Sequence, residues 1–125
     1  MTPLEMVKEF AVAMGQPLGM IHPAYGQHTD VASNTELMRM NLIDEEFVEL
    51  LTADSAENLL KELADLVYVI YGYAATFDLN LDEAVRRVHE SNMSKLGEDG
   101  KPIYRDDGKV LKGPNYKPPY MKDLL

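Results

Sequence analysis

Five carboxylates in two short segments are the residues of this chain best placed to do chemistry. Glu45, Glu46 and Glu49 lie within Leu42-Ile43-Asp44-Glu45-Glu46-Phe47-Val48-Glu49-Leu50, and Glu62 and Asp65 lie within Leu60-Lys61-Glu62-Leu63-Ala64-Asp65-Leu66. On a helix, like charges three or four residues apart repel by a few tenths of a kcal/mol per pair. Asp65 sits among apolar neighbours, where a bare carboxylate would be expensive to desolvate. If the two segments are helices packed antiparallel, Glu46 and Glu49 face Glu62 and Asp65 across a groove, with only Lys61 nearby to balance them. A hard divalent cation relieves both penalties, and an all-oxygen ligand set selects Mg²⁺ or Mn²⁺. The alternative is that Glu45 and Glu62 are solvated surface residues and Asp65 pairs with Arg39 or Lys95. Spacing alone leaves both readings open.

Other chemistries find no residues to carry them. The chain has no cysteine, which removes disulfides, thiolate metal sites and thiol nucleophiles. His22, His28 and His89 each lack a glutamate three residues earlier, so the Glu-x-x-His pairs of di-iron bundles are absent and the histidines read as loop or surface residues. Gly97-Glu98-Asp99-Gly100-Lys101-Pro102 has the wrong spacing for a phosphate-binding P-loop.

The elements that must position the carboxylates are helical. Leu4, Val7, Phe10, Ala11 and Met14 recur at helical spacing over Pro3 to Met14, and Gly15-Gln16-Pro17 ends that helix. A loop follows from Leu18 to Asp30. The second helix is expected to start near Ser33, with Glu36 completing a capping box, and to run to about Ala53. The third starts near Asp54 or Ser55 and reaches about Phe77; its half from Leu63 to Ala75 is apolar nearly all round, as in a helix buried in a bundle or dimer interface. Asp82 is the expected cap of a fourth helix ending near Lys95. The tail beyond Gly97 carries Asp99-Gly100 and Asp107-Gly108, so it reads either as a disordered end or as a short hairpin-like excursion. Tyr104, Tyr116 and Tyr120 there would suit docking onto a subunit. No strand run precedes Ile103, so the expected fold is all-α.

The 125 residues and 14.1 kDa fit one domain, residues 1–125, with about 97–125 as an extended C-terminal tail. The net charge of −9 repels phosphate backbones, so nucleic acid is not an expected partner. Leu66 to Phe77, the longest apolar stretch, is bounded by Asp65 and Asp78 and is shorter than the roughly 20 residues that cross a bilayer. With no apolar leader at the N-terminus, the expectation is a cytoplasmic protein that does not engage a membrane.

Glu45-Glu46-x-x-Glu49, twelve residues, then Glu62-x-x-Asp65 is an E-E-x-x-E…E-x-x-D signature straddling two helices. It resembles the MazG-like branch of the all-α nucleoside triphosphate pyrophosphohydrolases. The likeness extends to Phe10…Gly15-Gln16-Pro17 and Asn92-x-x-Lys95. The resemblance implies a four-to-five-helix bundle, a homodimer or homotetramer assembled through the long apolar third helix, and hydrolysis of (deoxy)nucleoside triphosphates to monophosphate and pyrophosphate. By that resemblance Glu46, Glu49, Glu62 and Asp65 hold two or more Mg²⁺ ions (Mn²⁺ substituting), and Glu45 orients or deprotonates the attacking water. Asn92 and Lys95, one turn apart, reach the triphosphate; Lys112 and Tyr116 close over phosphates or ribose; Gln16 hydrogen-bonds a base and Phe10 stacks on it. Arg39 is either a ligand contact or half of an ion pair with a nearby acid. Purine deoxynucleotides such as dGTP are the favoured substrates on this reading. Phosphoribosyl-ATP hydrolysis is the alternative within the same chemistry, and a non-catalytic acidic helical binding module the alternative outside it.

Overall fold

The computed structural model describes residues 1–26 and 29–125; His28 lies outside the described residues. Among the described residues four α-helices follow one another: α1 (Pro3–Ala13), α2 (Asp30–Leu51), α3 (Ala56–Thr76) and α4 (Leu81–Met93), with a 3-10 turn at Lys122–Leu124. Among the described residues the one β feature is an isolated antiparallel bridge between Tyr104 and Val110. The fold is all-α, and the chain divides into two units, Met1–Leu81 and Asp82–Leu125.

In the first unit, each helix start is fixed by a side chain that satisfies an orphan backbone N–H. Thr2 accepts from the Glu5 N–H at 3.2 Å, and Pro3 occupies the first helical turn, where a missing N–H costs nothing. The cap of α2 is Thr29 and not Ser33: the Thr29 hydroxyl accepts from the Ala32 N–H at 3.1 Å, and Ser33 lies inside the first turn. Glu36 is therefore free of the capping box and accepts instead from the Tyr73 hydroxyl at 3.3 Å. Ser55 caps α3 through the Asn58 N–H at 3.0 Å.

Leu4 and Val7 of α1 are buried against Ala74 and Ala75 of α3, with Leu18, Tyr71, Leu79 and Leu81 packed around them. Small residues at the end of α3 let α1 approach closely. The helix is closed by the chain on either side of it. Asp78 adopts the left-handed conformation (φ 55°) and Leu79 N–H returns to the Ala74 carbonyl at 2.9 Å, while Met20 N–H donates to the Thr76 carbonyl at 2.7 Å. The first half of the apolar stretch is less covered: Leu63, Val67 and Ile70 remain 38–47% exposed in the single chain.

A directional hydrogen-bond chain fastens the segment after α1 to both long helices. Ala24 N–H donates to His22 Nδ1 at 3.0 Å, so the neutral ring carries its proton on Nε2. That N–H meets the Tyr73 hydroxyl at 2.6 Å, and Tyr73 in turn donates to Glu36. Burial, and then the adjacent Glu36 carboxylate, push the Tyr73 phenol above its ordinary pKa, which keeps it a donor.

In the second unit, Asp82 lies in the first turn of α4, where it was expected as a cap just outside it, and the helix ends at Met93. The tail folds back on that helix. Ser91 donates to the Lys117 carbonyl at 2.7 Å, and the Arg87 guanidinium bridges to Asp123 at 2.5 and 2.9 Å. Gly113 N–H donates to the Lys95 carbonyl at 2.8 Å, and a Cβ there would stand 2.2 Å from the Leu96 carbonyl oxygen, so only glycine fits. Around the Asp107-Gly108 turn, Arg105 N–H bonds Lys109 O and Leu111 N–H bonds Ile103 O, each at 2.8 Å. The tail is thus the hairpin-like excursion of the two expectations, and its ordering partner is α4 of the same unit.

Candidate metal centre

Pairings along α2 rise as those along α3 fall: Glu36 meets Tyr73, Arg39 meets Gly72, and Glu46 and Glu49 meet Asp65 and Glu62. The helices are antiparallel, and positions three and seven residues apart on each fall on the facing stripe. One carboxylate oxygen from each of Glu46, Glu49, Glu62 and Asp65 lies within 4.8 Å of the others. Glu62 is buried, Glu46 and Asp65 are half-buried, and Glu49 is exposed.

The electrostatics of this cluster are unbalanced. Lys61 Nζ contacts Asp65 Oδ2 at 2.8 Å and Glu62 Oε1 at 3.3 Å, and both contacts push its pKa up. Desolvation, followed by repulsion from Glu49 and Asp65, raises the Glu46 carboxyl above its ordinary value. Glu46 Oε2 and Glu62 Oε2 are buried with no hydrogen-bond donor among the described residues. Buried carboxylate oxygens nearly always have a partner, and one ammonium does not supply four carboxylates. The orphaned oxygens and the all-carboxylate donor set fit a hard divalent cation.

Of the remaining candidates, Glu45 is exposed on α2 beside Glu46 and stands outside the four-carboxylate cluster. Gln16, just past α1, accepts from Arg39 Nη2 at 3.2 Å, and Phe10 packs edge-on against Tyr68 with centroids 5.9 Å apart. Asn92 and Lys95 belong to the second unit, Asn92 exposed on α4 and Lys95 half-buried after its end. Lys112 and Tyr116 are also in that unit, with the ammonium 4.7 Å from the ring centre. The environment of Arg39 is what sequence reasoning missed. It is buried with Gln16 as its partner, and among the described residues no acid pairs with it. The His22–Tyr73–Glu36 chain also left no local signal, since its members lie far apart in sequence.

E-E-x-x-E and E-x-x-D on facing antiparallel helices of an all-α domain is the arrangement that the resemblance to the all-α nucleotide pyrophosphohydrolases implies. Residues 7–92 match the phosphoribosyl-ATP pyrophosphohydrolase family, and the chain belongs to it. The chain is also 32% identical, over 117 residues, to an uncharacterized protein of Acanthamoeba polyphaga mimivirus, an alignment that covers 89% of this chain and 42% of the relative. The chain therefore spans less than half the length of that curated relative. Among the described residues no helix is long and apolar enough to cross a membrane.

Proposed function

We propose that this protein is a MazG-like pyrophosphohydrolase that uses Mg²⁺, or Mn²⁺ in its place, to cleave (deoxy)nucleoside triphosphates between the α and β phosphates. The products are a monophosphate and pyrophosphate, and purine deoxynucleotides such as dGTP are the favoured substrates. The observation that carries this reading is the convergence of Glu46, Glu49, Glu62 and Asp65 with two orphaned buried oxygens. These four residues would hold two or more ions. Bound there, Mg²⁺ supplies charge neutralisation on the phosphate oxygens and water of lowered pKa.

The chain's own groups do the rest. On this reading Glu45, exposed next to Glu46, orients the attacking water and accepts its proton. On the same reading Gln16 contacts the base. The exposed Leu63 and Val67 of α3, which line a cavity of about 310 Å³ with Met6 and Leu60, favour a homodimer or homotetramer through this face. The setting is the cytoplasmic nucleotide pool, with neither nucleic acid nor membrane as partner.

A second reading, hydrolysis of phosphoribosyl-ATP, is favoured by the family that residues 7–92 match. The test is release of pyrophosphate and monophosphate from the eight NTPs and dNTPs and from phosphoribosyl-ATP, with Mg²⁺, Mn²⁺ or EDTA. Metal-dependent release from triphosphates supports the proposal, and release from phosphoribosyl-ATP alone supports the second reading. Silence on every substrate, with Glu49→Gln unchanged in stability whether or not Mn²⁺ is present, would leave a non-catalytic helical binding module.

A further inference from the structure

Between α1, α2 and α3 lies a cavity of about 110 Å³ walled by Phe10, Gln16, Arg39, Leu42, Tyr68 and Gly72. It is somewhat smaller than the ~150 Å³ cavity that takes up a benzene ring, so its scale is that of one edge of a flat heterocycle. Two aromatic rings and Leu42 supply apolar wall, and its charged group is a guanidinium.

Arg39 is 6% exposed. Its Nη2 donates to Gln16 Oε1 at 3.2 Å, and among the described residues its Nε has no partner and no carboxylate pairs with it. Buried arginines are normally paired, because an uncompensated buried charge is strongly destabilising. The backbone of α3 makes room for this one. A Cβ on Gly72 would stand 2.9 Å from Arg39 Nη1, so the absence of a side chain at 72 is what lets the guanidinium lie against the helix. The fold thus positions a forked donor on a cavity wall and gives it one neutral acceptor.

The place of the cavity relative to the carboxylates follows from the same register. Arg39 precedes Glu46 by two turns of α2, and Gly72 follows Asp65 by two turns of α3. The guanidinium is therefore about 10 Å along the groove from the carboxylate cluster. That is a separation one nucleotide bridges, with its phosphates at the carboxylates and its base at Arg39.

We infer that Arg39 is a specificity-determining residue that reads the nucleobase, selecting bases with an oxo group at purine C6 or pyrimidine C4 (guanine, thymine, uracil) over those with an amino group there (adenine, cytosine). This rests on the nucleotide reading of the carboxylate site. The chemistry is donor–acceptor matching. A guanidinium pairs well with O6 and N7 of guanine or O4 of thymine, whereas the N6 amino group of adenine or the N4 amino group of cytosine presents a donor to a donor. Among purines this selects guanine.

The test is calorimetric binding of dGMP, dAMP, dTMP and dCMP in the presence of Mn²⁺, which offsets the repulsion between phosphate and carboxylates, with monophosphates that cannot turn over. The native chain is expected to bind dGMP, dTMP or both about tenfold or more tighter than dAMP and dCMP, the discrimination one good bidentate pair provides. Tighter dGMP than dTMP assigns the cavity to a purine, and the reverse to a pyrimidine. Arg39→Met, which keeps the volume and removes a buried charge, is expected to bring the four affinities within about threefold of one another. Gly72→Ala, which displaces the guanidinium without deleting it, is expected to reduce the preference, and it carries the test if Arg39→Met does not fold. Equal binding of all four, a preference for the amino bases, no binding of any of them, or a parallel loss for all four in Arg39→Met would each overturn the inference. Metal-dependent pyrophosphate release without an oxo-base preference would overturn it while leaving the proposed function standing. An oxo-base preference in a protein silent on triphosphates would do the opposite.

Discussion

Lys61 Nζ stands 2.8 Å from Asp65 Oδ2 and 3.3 Å from Glu62 Oε1, so a single ammonium, itself on α3, serves two members of a four-carboxylate cluster. It partly does the work of a bound cation. Lys61→Met is expected to lower the melting temperature in EDTA, because the cluster loses its one internal counter-charge. The rise on adding Mn²⁺ should then be larger than in the native chain. Differential scanning fluorimetry with and without metal measures both, and an unchanged EDTA melting temperature would contradict the role given to Lys61.

Metal should stabilise the fold through the orphaned oxygens. At a free Mn²⁺ or Mg²⁺ concentration a hundredfold above Kd, linkage predicts about 2.7 kcal/mol of added stability, read as a rise of several degrees. Glu62→Gln is expected to abolish that rise while leaving the metal-free protein as stable as the native chain or more so, since it removes one buried charge from a repelling group. A native melting temperature indifferent to both metals would remove the metal centre.

Tyr73→Phe should cost about 1 kcal/mol in urea unfolding, the net worth of an ordinary hydrogen bond. The hydroxyl joins His22 at 2.6 Å to Glu36 at 3.3 Å, so its loss removes the side-chain link from His22 to both long helices and leaves the Met20 N–H bond to the Thr76 carbonyl. Faster proteolytic cleavage near His22, with α2 and α3 still intact, is the accompanying signature. Equal cleavage rates in variant and native chain would show that the other contacts hold this segment alone.

The tail clasp should be acid-labile. Arg86 and Arg87 push the Glu83 carboxyl down to about 2 from its ordinary 4.5, and Arg87 lowers Asp123. A carboxyl depressed in the folded state contributes stability that is present above its unfolded pKa and is lost as pH falls through the folded one. Amide exchange in the segment from Lys117 to Leu125 is therefore expected to accelerate as pH drops from about 4.5 towards 2, after correction for intrinsic rates. Asp123→Asn should weaken that dependence. A pH-independent clasp would mean that backbone bonds such as Ser91 to the Lys117 carbonyl hold the tail.

Much of the first unit was determined by the sequence alone. The apolar spacing of Leu4, Val7 and Ala11, the stop at Gly15-Gln16-Pro17 and a helix start at Asp54 or Ser55, of which the structure uses Ser55, are local signals, because helix periodicity and capping involve residues within four of one another. The two carboxylate motifs were readable on their helices, but spacing alone left a facing cluster and solvated surface residues both open, and the packing of α2 against α3 brought the four together. Where two local signals competed, the sequence had no means to choose. Thr29 and Ser33 are both good caps, and only tertiary structure decided between them, by giving Glu36 to Tyr73. The tail likewise carried turn residues but no hint that Arg87 and Ser91 would hold it. Arg39 is the clearest case. Its burial against Gly72 depends on a contact between helices thirty-three positions apart in the chain, and neither residue alone signals a guanidinium left without an acid. Local chemistry specified the helices and their motifs, and long-range packing decided which polar groups found partners and which remained available to a ligand.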